Sequence, residues 1–420
     1  MSKDKIIKNI GWYTLLNFFN SAIPFLLLPI LTKNLSIEQF AIIDLFNNVS
    51  YILLPLVGLN IGSSIIRFYY DKDQIDLSKF IYNILFFLIV SGLFLLTACL
   101  VFSILNINLL GDKEIPTIIL LLAVAYALFS QICEVLLSLW RAEELPINYG
   151  IFRICKTVID LGISIYLILF ISQSWQSRIY STVLVSLVFS IWAVYIMTKK
   201  YNLKRGINRL YLKIALKYSA PLILHGVGGY VISFSDRFVI LHFMDLKSVG
   251  LYGVAYQVGM IMSFIGNSFS QAWTPFVFAK LKLNEMSIFR KLDIFNYFYF
   301  VMMILLSFAL YFMVPIIYRI FIGKQFDVSP TIVFWVLLGY GVNGMYKIVV
   351  NYMFYYKKTG LLAIITCLAA LVNVFMCWIL VPVYGLLGAA VATTIAFFVM
   401  FILVYIQYLK IYKTFRKNNM

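Results

Sequence analysis

Residues 80–105 read FIYNILFFLIVSGLFLLTACLVFSIL, with no charged side chain among them. A helix rises about 1.5 Å per residue, and about 20 mostly apolar residues suffice to cross a bilayer. This run is long enough, and lipid is the solvent its side chains fit. To either side lie eleven more runs of the same kind. The twelve predicted spans are 9–32, 39–67, 80–105, 116–141, 147–171, 179–198, 214–243, 249–278, 291–318, 329–355, 360–381 and 385–409. The seventh and eighth each hold several Gly, which weaken a helix.

The whole chain follows the same logic. Of its 420 residues, 63% are hydrophobic and 12% charged, whereas a soluble domain is about half apolar and about a quarter charged. No soluble fold hides so much apolar surface; a bilayer does. The net charge of +17 would suggest nucleic acid in a soluble protein. Here no nucleic acid is expected, because basic loops are kept on the cytoplasmic side of a membrane. With the N-terminus inside, the inner segments hold 24 of the 34 Lys and Arg, the outer loops hold six, and four lie within helices. That bias places both termini in the cytoplasm. Lys3, Lys5 and Lys8 precede an apolar run, as in a signal peptide, but no A-x-A pattern follows it, so the run is read as a retained first span.

The five cysteines, Cys99, Cys133, Cys155, Cys367 and Cys377, all fall inside apolar runs and form no C-x-x-C pair. They read as small core residues rather than a disulfide or metal framework. His225 and His242 stand 17 residues apart with no Cys or His nearby, so no zinc site is expected and no cofactor is called for.

A shift of about 209 to 210 residues superimposes two short stretches on two others. Leu35–Ala41 falls on Met244–Gly250, and Ser174–Thr182 falls on Tyr384–Ala392. Each pair occupies the same place in the helix order, which predicts a duplication. The expected organisation is an N-terminal six-helix bundle over 1–200, a basic cytoplasmic linker over 201–213, and a C-terminal six-helix bundle over 214–420.

Several spans carry polar residues at helical spacing. The first has Asn9, Tyr13, Asn17 and Asn20. The second has Asp44, Asn48 and Tyr51, with Arg67 at its end. The fourth has Gln131, Glu134, Ser138 and Arg141, and the fifth has Arg153, Lys156 and Asp160. The seventh has His225, Ser233, Asp236 and Arg237; the eighth has Tyr256, Ser263, Asn267, Ser270 and Thr274; the tenth has Asn343, Lys347 and Asn351. The third, sixth, ninth and twelfth have no comparable charged stripe. Polar groups facing lipid are costly, so the stripes face protein or water. The uncharged members also suit helix–helix glue, whereas intramembrane charges point to function. Six are basic, namely Arg67, Arg141, Arg153, Lys156, Arg237 and Lys347. Four are acidic, namely Asp44, Glu134, Asp160 and Asp236. The basic excess gathers on the cytoplasmic side, where Arg and Lys suit a phosphate. The acids suit ion coupling. Two plainer readings stand beside this: Lys156 and Asp160 as an i, i+4 ion pair, and Arg67 and Arg141 as membrane-end anchors.

Five short stretches carry a resemblance: Leu35–Phe40, Ile65–Asp71, Ser235–Phe238, Val249–Tyr252 and Tyr384–Ala390. In this order on twelve spans, the chain resembles the Wzx-type O-antigen and polysaccharide flippases, in the polysaccharide-transporter branch of the MOP exporter superfamily. The resemblance covers essentially the whole chain. It implies an all-α integral membrane protein, with two six-helix bundles in a V around a central cavity. It implies an undecaprenyl-pyrophosphate-linked oligosaccharide as cargo, moved from the cytoplasmic to the periplasmic leaflet of the bacterial inner membrane by ion-coupled alternating access. A polysaccharide polymerase and a chain-length regulator are the implied partners besides membrane lipid. One departure is Ala41, where a Gly like Gly250 is expected. The competing functions are a multidrug exporter of the same superfamily, a lipid-linked peptidoglycan-precursor flippase, and a membrane polymerase or glycosyltransferase. An enzyme would need acid–base groups beside a large outer loop, and neither paired carboxylates nor a phosphate-binding loop is present.

Overall fold

The computed structural model describes residues 23–69, 75–105, 116–283 and 285–418. Among them every regular element is helical. The part of the first predicted span before Ile23, with Asn9, Tyr13, Asn17 and Asn20, lies outside the described residues, as does the side chain of His225. After a single 3-10 turn at Ile23–Leu27, the helices are α1 (Leu28–Asn34), α2 (Ile37–Leu56), α3 (Ser63–Tyr69), α4 (Leu77–Ile104), α5 (Ile118–Ala142), α6 (Pro146–Phe170), α7 (Trp175–Tyr201) and α8 (Arg209–Phe234). Then come α9 (Asp236–Phe243), α10 (Leu246–Gly259), α11 (Ile261–Leu281), α12 (Met286–Phe321), α13 (Pro330–Tyr355), α14 (Thr359–Tyr384) and α15 (Leu386–Asn418). Among the described residues, nine helical stretches are long and apolar enough to cross a membrane.

The chain reverses direction where side chains satisfy the free amides of a helix start. Ser36 accepts from the Gln39 amide at 3.2 Å to begin α2. Asp245 accepts from the Ser248 amide at 2.7 Å to begin α10. The two caps stand 209 positions apart, at the stretches that superimpose in the sequence.

Three predicted spans are interrupted. The second breaks after Pro55, where Gly58, Leu59 and Asn60 all take positive φ. Gly58 is also in contact with Leu88, where a Cβ would collide. The seventh breaks at Ser235, between α8 and α9, and the eighth at Met260, between α10 and α11. Gly385, at φ +57, lets α14 end and α15 start with almost no loop.

The contacts divide the chain into two compact units, with the boundary between Val227 and Gly228. In the first unit α5 is the hub, packed on α2, α4 and α7. In the second, α13 is the hub, packed on α10, α11, α12 and α15. There Gly266 of α11 meets Gly344 of α13, with only 3.4 Å from one Cα to where the other's Cβ would stand. Small residues let helix backbones approach without a hydrophobic driving force. The hub α13 has 78% of its span buried, while α12 has 17% and α4 has 22%. Two of the four spans without a charged stripe, the third and the ninth, are thus the least buried, and the polar α13 is sheltered.

Candidate functional site

Most of the intramembrane charges fall into four clusters, two in each unit, and Asp44, Arg67 and Lys156 stand outside them. In the first unit, Arg141 reaches back two turns along α5 to Glu134 and also donates to Ser138 at 3.0 Å. Its guanidinium lies 5.9 Å from the Tyr149 ring. Arg153 uses the same tyrosine, donating to its hydroxyl at 2.6 Å. One ring on α6 thus gathers both arginines.

The second cluster joins α6 to α7. Arg178 donates to Asp160 at 2.9 Å and to Ser164 at 2.7 Å. Thr182 donates to the same carboxylate oxygen at 3.0 Å. Arg178 falls between the fifth and sixth predicted spans, which puts it in an outer loop by sequence, but it is the fourth residue of α7, which begins four residues earlier than the sixth predicted span. The partner of Asp160 is therefore this arginine, and the i, i+4 pairing with Lys156 is not the contact made. Lys156 sits 5.8 Å from the Tyr126 ring instead. Asp44 is buried on α2 and accepts from Asn48 at 3.1 Å. Arg67 lies in the last turn of α3 and is exposed, 5.7 Å from the Phe68 ring.

In the second unit, Asp236 and Arg237 open α9 and are 0% and 1% exposed. One carboxylate oxygen of Asp236 takes the Arg237 guanidinium at 2.7 Å and its amide at 3.0 Å. The other takes the Tyr252 hydroxyl at 2.7 Å and Thr393 at 3.3 Å. Asn373 supports Thr393, and Ser235 donates to Asn373. The guanidinium stacks 3.8 Å from the Tyr256 ring, a strong cation–π contact when water is absent. Tyr340 closes the box by donating to Tyr256. Tyr252, Thr393 and Asn373 gave no sequence signal as partners, because they come from α10, α15 and α14.

The fourth cluster lies between α11 and α13. Lys347 donates to the Asn267 amide oxygen at 2.5 Å, and Asn267 donates to Ser263 at 3.2 Å. One turn along, Thr274 donates to Asn351 at 2.9 Å. The polar stripes of the eighth and tenth predicted spans are thus brought face to face. Among the described residues no carboxylate pairs with Lys347 or with Lys156. No group of three His, Cys, Asp or Glu among the described residues is placed to hold a metal ion.

The comparisons with known proteins agree with this architecture. Residues 6–282 match the family described as polysaccharide biosynthesis protein. The Lsg locus putative protein 1 of Haemophilus influenzae is 22% identical over 376 residues, covering 88% of this chain and 90% of that protein. The capsular polysaccharide biosynthesis protein CapF of Staphylococcus aureus is 23% identical over 437 residues, covering 97% of this chain and 100% of that protein. Among solved structures, the lipid II flippase MurJ in an inward closed conformation matches with a TM-score of 0.75 at 18% identity, over 94% of this chain and 87% of that one. An inward-facing multidrug resistance MATE family transporter of the MOP superfamily matches with a TM-score of 0.72 at 15% identity, over 100% and 97%. The chain belongs to the polysaccharide biosynthesis protein family and has the all-helical fold of the MOP-superfamily transporters.

Proposed function

We propose that this protein is a flippase that carries a lipid-linked oligosaccharide, of the undecaprenyl-pyrophosphate type, from the cytoplasmic to the periplasmic leaflet of a bacterial inner membrane. The observation that carries the reading is the charge left over inside the helices. Glu134, Asp160 and Asp236 each have an arginine in place. Lys156 and Lys347 have only a tyrosine ring and an amide oxygen. An ammonium in a helix bundle is costly without a counter-charge, and a diphosphate supplies one through charge-assisted hydrogen bonds. The family and the names of its relatives support a glycan cargo, and the lipid II flippase among the structural neighbours supports a lipid-linked one. A multidrug exporter of organic cations would need free acids where this chain has free ammonium groups.

In this reading twelve spans leave both termini in the cytoplasm. Transport proceeds by alternating access, which a ligand drives only through different affinities for the two states. Proton or sodium uptake at Asp44, Glu134, Asp160 or Asp236 supplies the coupling; at the last three the ion competes with the arginine already there. The test is deletion of the gene, followed by analysis of surface polysaccharide and of lipid-linked intermediates. The expected result is loss of the surface glycan with build-up of its lipid-linked precursor. Unchanged surface polysaccharide overturns the reading. Reporter fusions at Asp112 and Lys417 should report opposite sides of the membrane; the same side for both would overturn the topology.

A further inference from the structure

Residues 199–217 hold seven Lys and Arg and no acid. Such a segment is ordinarily a loose solvated tether. Here it is fastened to the first unit along its length. The Ser78 hydroxyl donates to the Asn202 carbonyl at 2.6 Å and accepts from the Lys204 amide at 2.8 Å. Asn83, 1% exposed, donates to the Gly206 carbonyl at 3.0 Å and accepts from the Asn208 amide at 2.7 Å. The Asp76 amide donates to the Tyr211 hydroxyl at 3.1 Å. Tyr211, Leu212, Ala215 and Leu216 then pack onto the core of that unit.

This fastening uses only two of the seven cations. Lys200 pairs with Glu143 at 2.5 Å and Lys204 with Asp76 at 3.1 Å. Lys199, Arg205, Arg209, Lys213 and Lys217 stay exposed, and among the described residues none of the five is paired with an acid. Arg209, Lys213 and Lys217 follow at i, i+4 and i+8, on the side of α8 opposite its packed face. Apolar side chains stand among them: Ile207 is 59% exposed, Leu210 60% and Tyr218 41%. The segment begins where the apolar run of α7 ends, so it lies at the height of the lipid headgroups.

We propose that residues 199–217 form a fixed basic shelf that binds the anionic phospholipid surface of the leaflet it faces. Charge selects the partner: five cations without an acid match a sheet of phosphates. Interleaved Ile207, Leu210 and Tyr218 enter the acyl boundary while the long cationic stems reach up to the headgroups. Because the backbone is already held by Ser78 and Asn83, little ordering is lost on binding. The proposal requires the spans but no cargo, so it stands or falls apart from the transport reading.

The test uses the full chain, purified in mixed micelles of phosphatidylglycerol and phosphatidylcholine, with the co-bound lipid identified by mass. The wild type should retain phosphatidylglycerol preferentially. Arg205→Gln, Arg209→Gln and Lys213→Gln together should abolish most of that preference, at about fivefold per cation removed. The charge-matched control is Lys282→Gln, Arg290→Gln and Lys291→Gln, three exposed cations of the second unit; it should keep the preference. Both variants are first shown to be folded by circular dichroism and elution as a single species. Equal loss in the two variants, or no loss in the first, overturns the shelf. Displacement of the lipid by inorganic phosphate at matched charge would mark a free-anion site and overturn the lipid assignment.

Discussion

Arg237 and Lys347 are both cations inside the helices of the second unit, yet their surroundings differ in kind. Arg237 is 1% exposed, with the Asp236 carboxylate at 2.7 Å and an aromatic ring 3.8 Å beneath its guanidinium. Its counter-charge is the preceding residue in the chain, and four other helices contribute to the box. Lys347 has one neutral amide oxygen at 2.5 Å. A charge whose partner is supplied by the fold is part of the fold. A charge for which the fold supplies only neutral acceptors keeps its attraction for an anion. The same contrast separates Arg178 from Lys156 in the first unit.

The largest effect should come from opening the closed pair. Removing one partner of a buried ion pair leaves an uncompensated charge, at about 3–5 kcal/mol. Asp236→Ala or Arg237→Ala should therefore lower the unfolding midpoint in detergent sharply and reduce the amount of protein in the membrane. Normal accumulation of both variants would mean that the pair is not structural, and the contrast with Lys347 would collapse.

Lys347→Ala should do the opposite, leaving protein level normal while export falls. A hydrogen bond to a charged group contributes about 1.5–3 kcal/mol, so the loss expected is roughly ten- to a hundredfold. Lys347→Arg should retain more activity than Lys347→Ala. The double variant Arg153→Ala, Lys347→Ala should be weaker still. Near-normal surface polysaccharide in that double variant, at native expression, would reduce these residues to helix packing.

Asp160 and Arg178 lie between the extremes, with side chains 15% and 14% exposed. Asp160→Asn or Arg178→Gln should cost about 1–3 kcal/mol of stability. A double-mutant cycle should show coupling between these two and little between Lys156 and Asp160. The reverse ranking would restore the i, i+4 pair.

Nine of the twelve predicted spans have a counterpart long and apolar enough among the described residues, and these were legible because a bilayer imposes a single length and composition on every crossing. The polar stripes were legible for the same reason: Asn267 and Lys347 are costly anywhere but against protein, and they do meet. The starts of α2 and α10, capped by Ser36 and Asp245, lie two and three residues before the predicted spans at 39 and 249. Partners were not visible. Arg178 was read as a loop residue because the apolar run of α7 begins after it, while the helix itself begins at Trp175. The Asp236 box draws on α10, α14 and α15, and no local pattern records which turn of a later helix will face it. The break at Gly58 was also missed; the run from 39 to 67 is apolar enough on average to read as one span, and hydropathy does not register three residues of positive φ.

The smallest effect belongs to the most exposed pair, Asp76 and Lys204, whose side chains are 32% and 62% exposed. Burial pushes the Asp76 carboxyl up, but hydrogen bonds from the Lys204 ammonium and the Lys79 amide, with the attraction of both lysines, outweigh it and hold it below the usual carboxylate range. A carboxyl depressed in the folded state contributes stability above its unfolded value of about 3.9, and that contribution is lost as the pH falls through the folded value. The linker should therefore be equally fast to its seat at pH 7 and pH 5 and should loosen only in stronger acid. Hydrogen exchange at the Lys204 and Asn208 amides, which bond to Ser78 and Asn83, reads this directly once the intrinsic pH dependence is divided out. Asp76→Asn should remove the acid step and leave the Asn208 amide still protected through Asn83. Because a solvent-screened pair is weak, the step should be far smaller than the loss caused by Asp236→Ala. An acid step of comparable size would show that exposure does not rank these ion pairs.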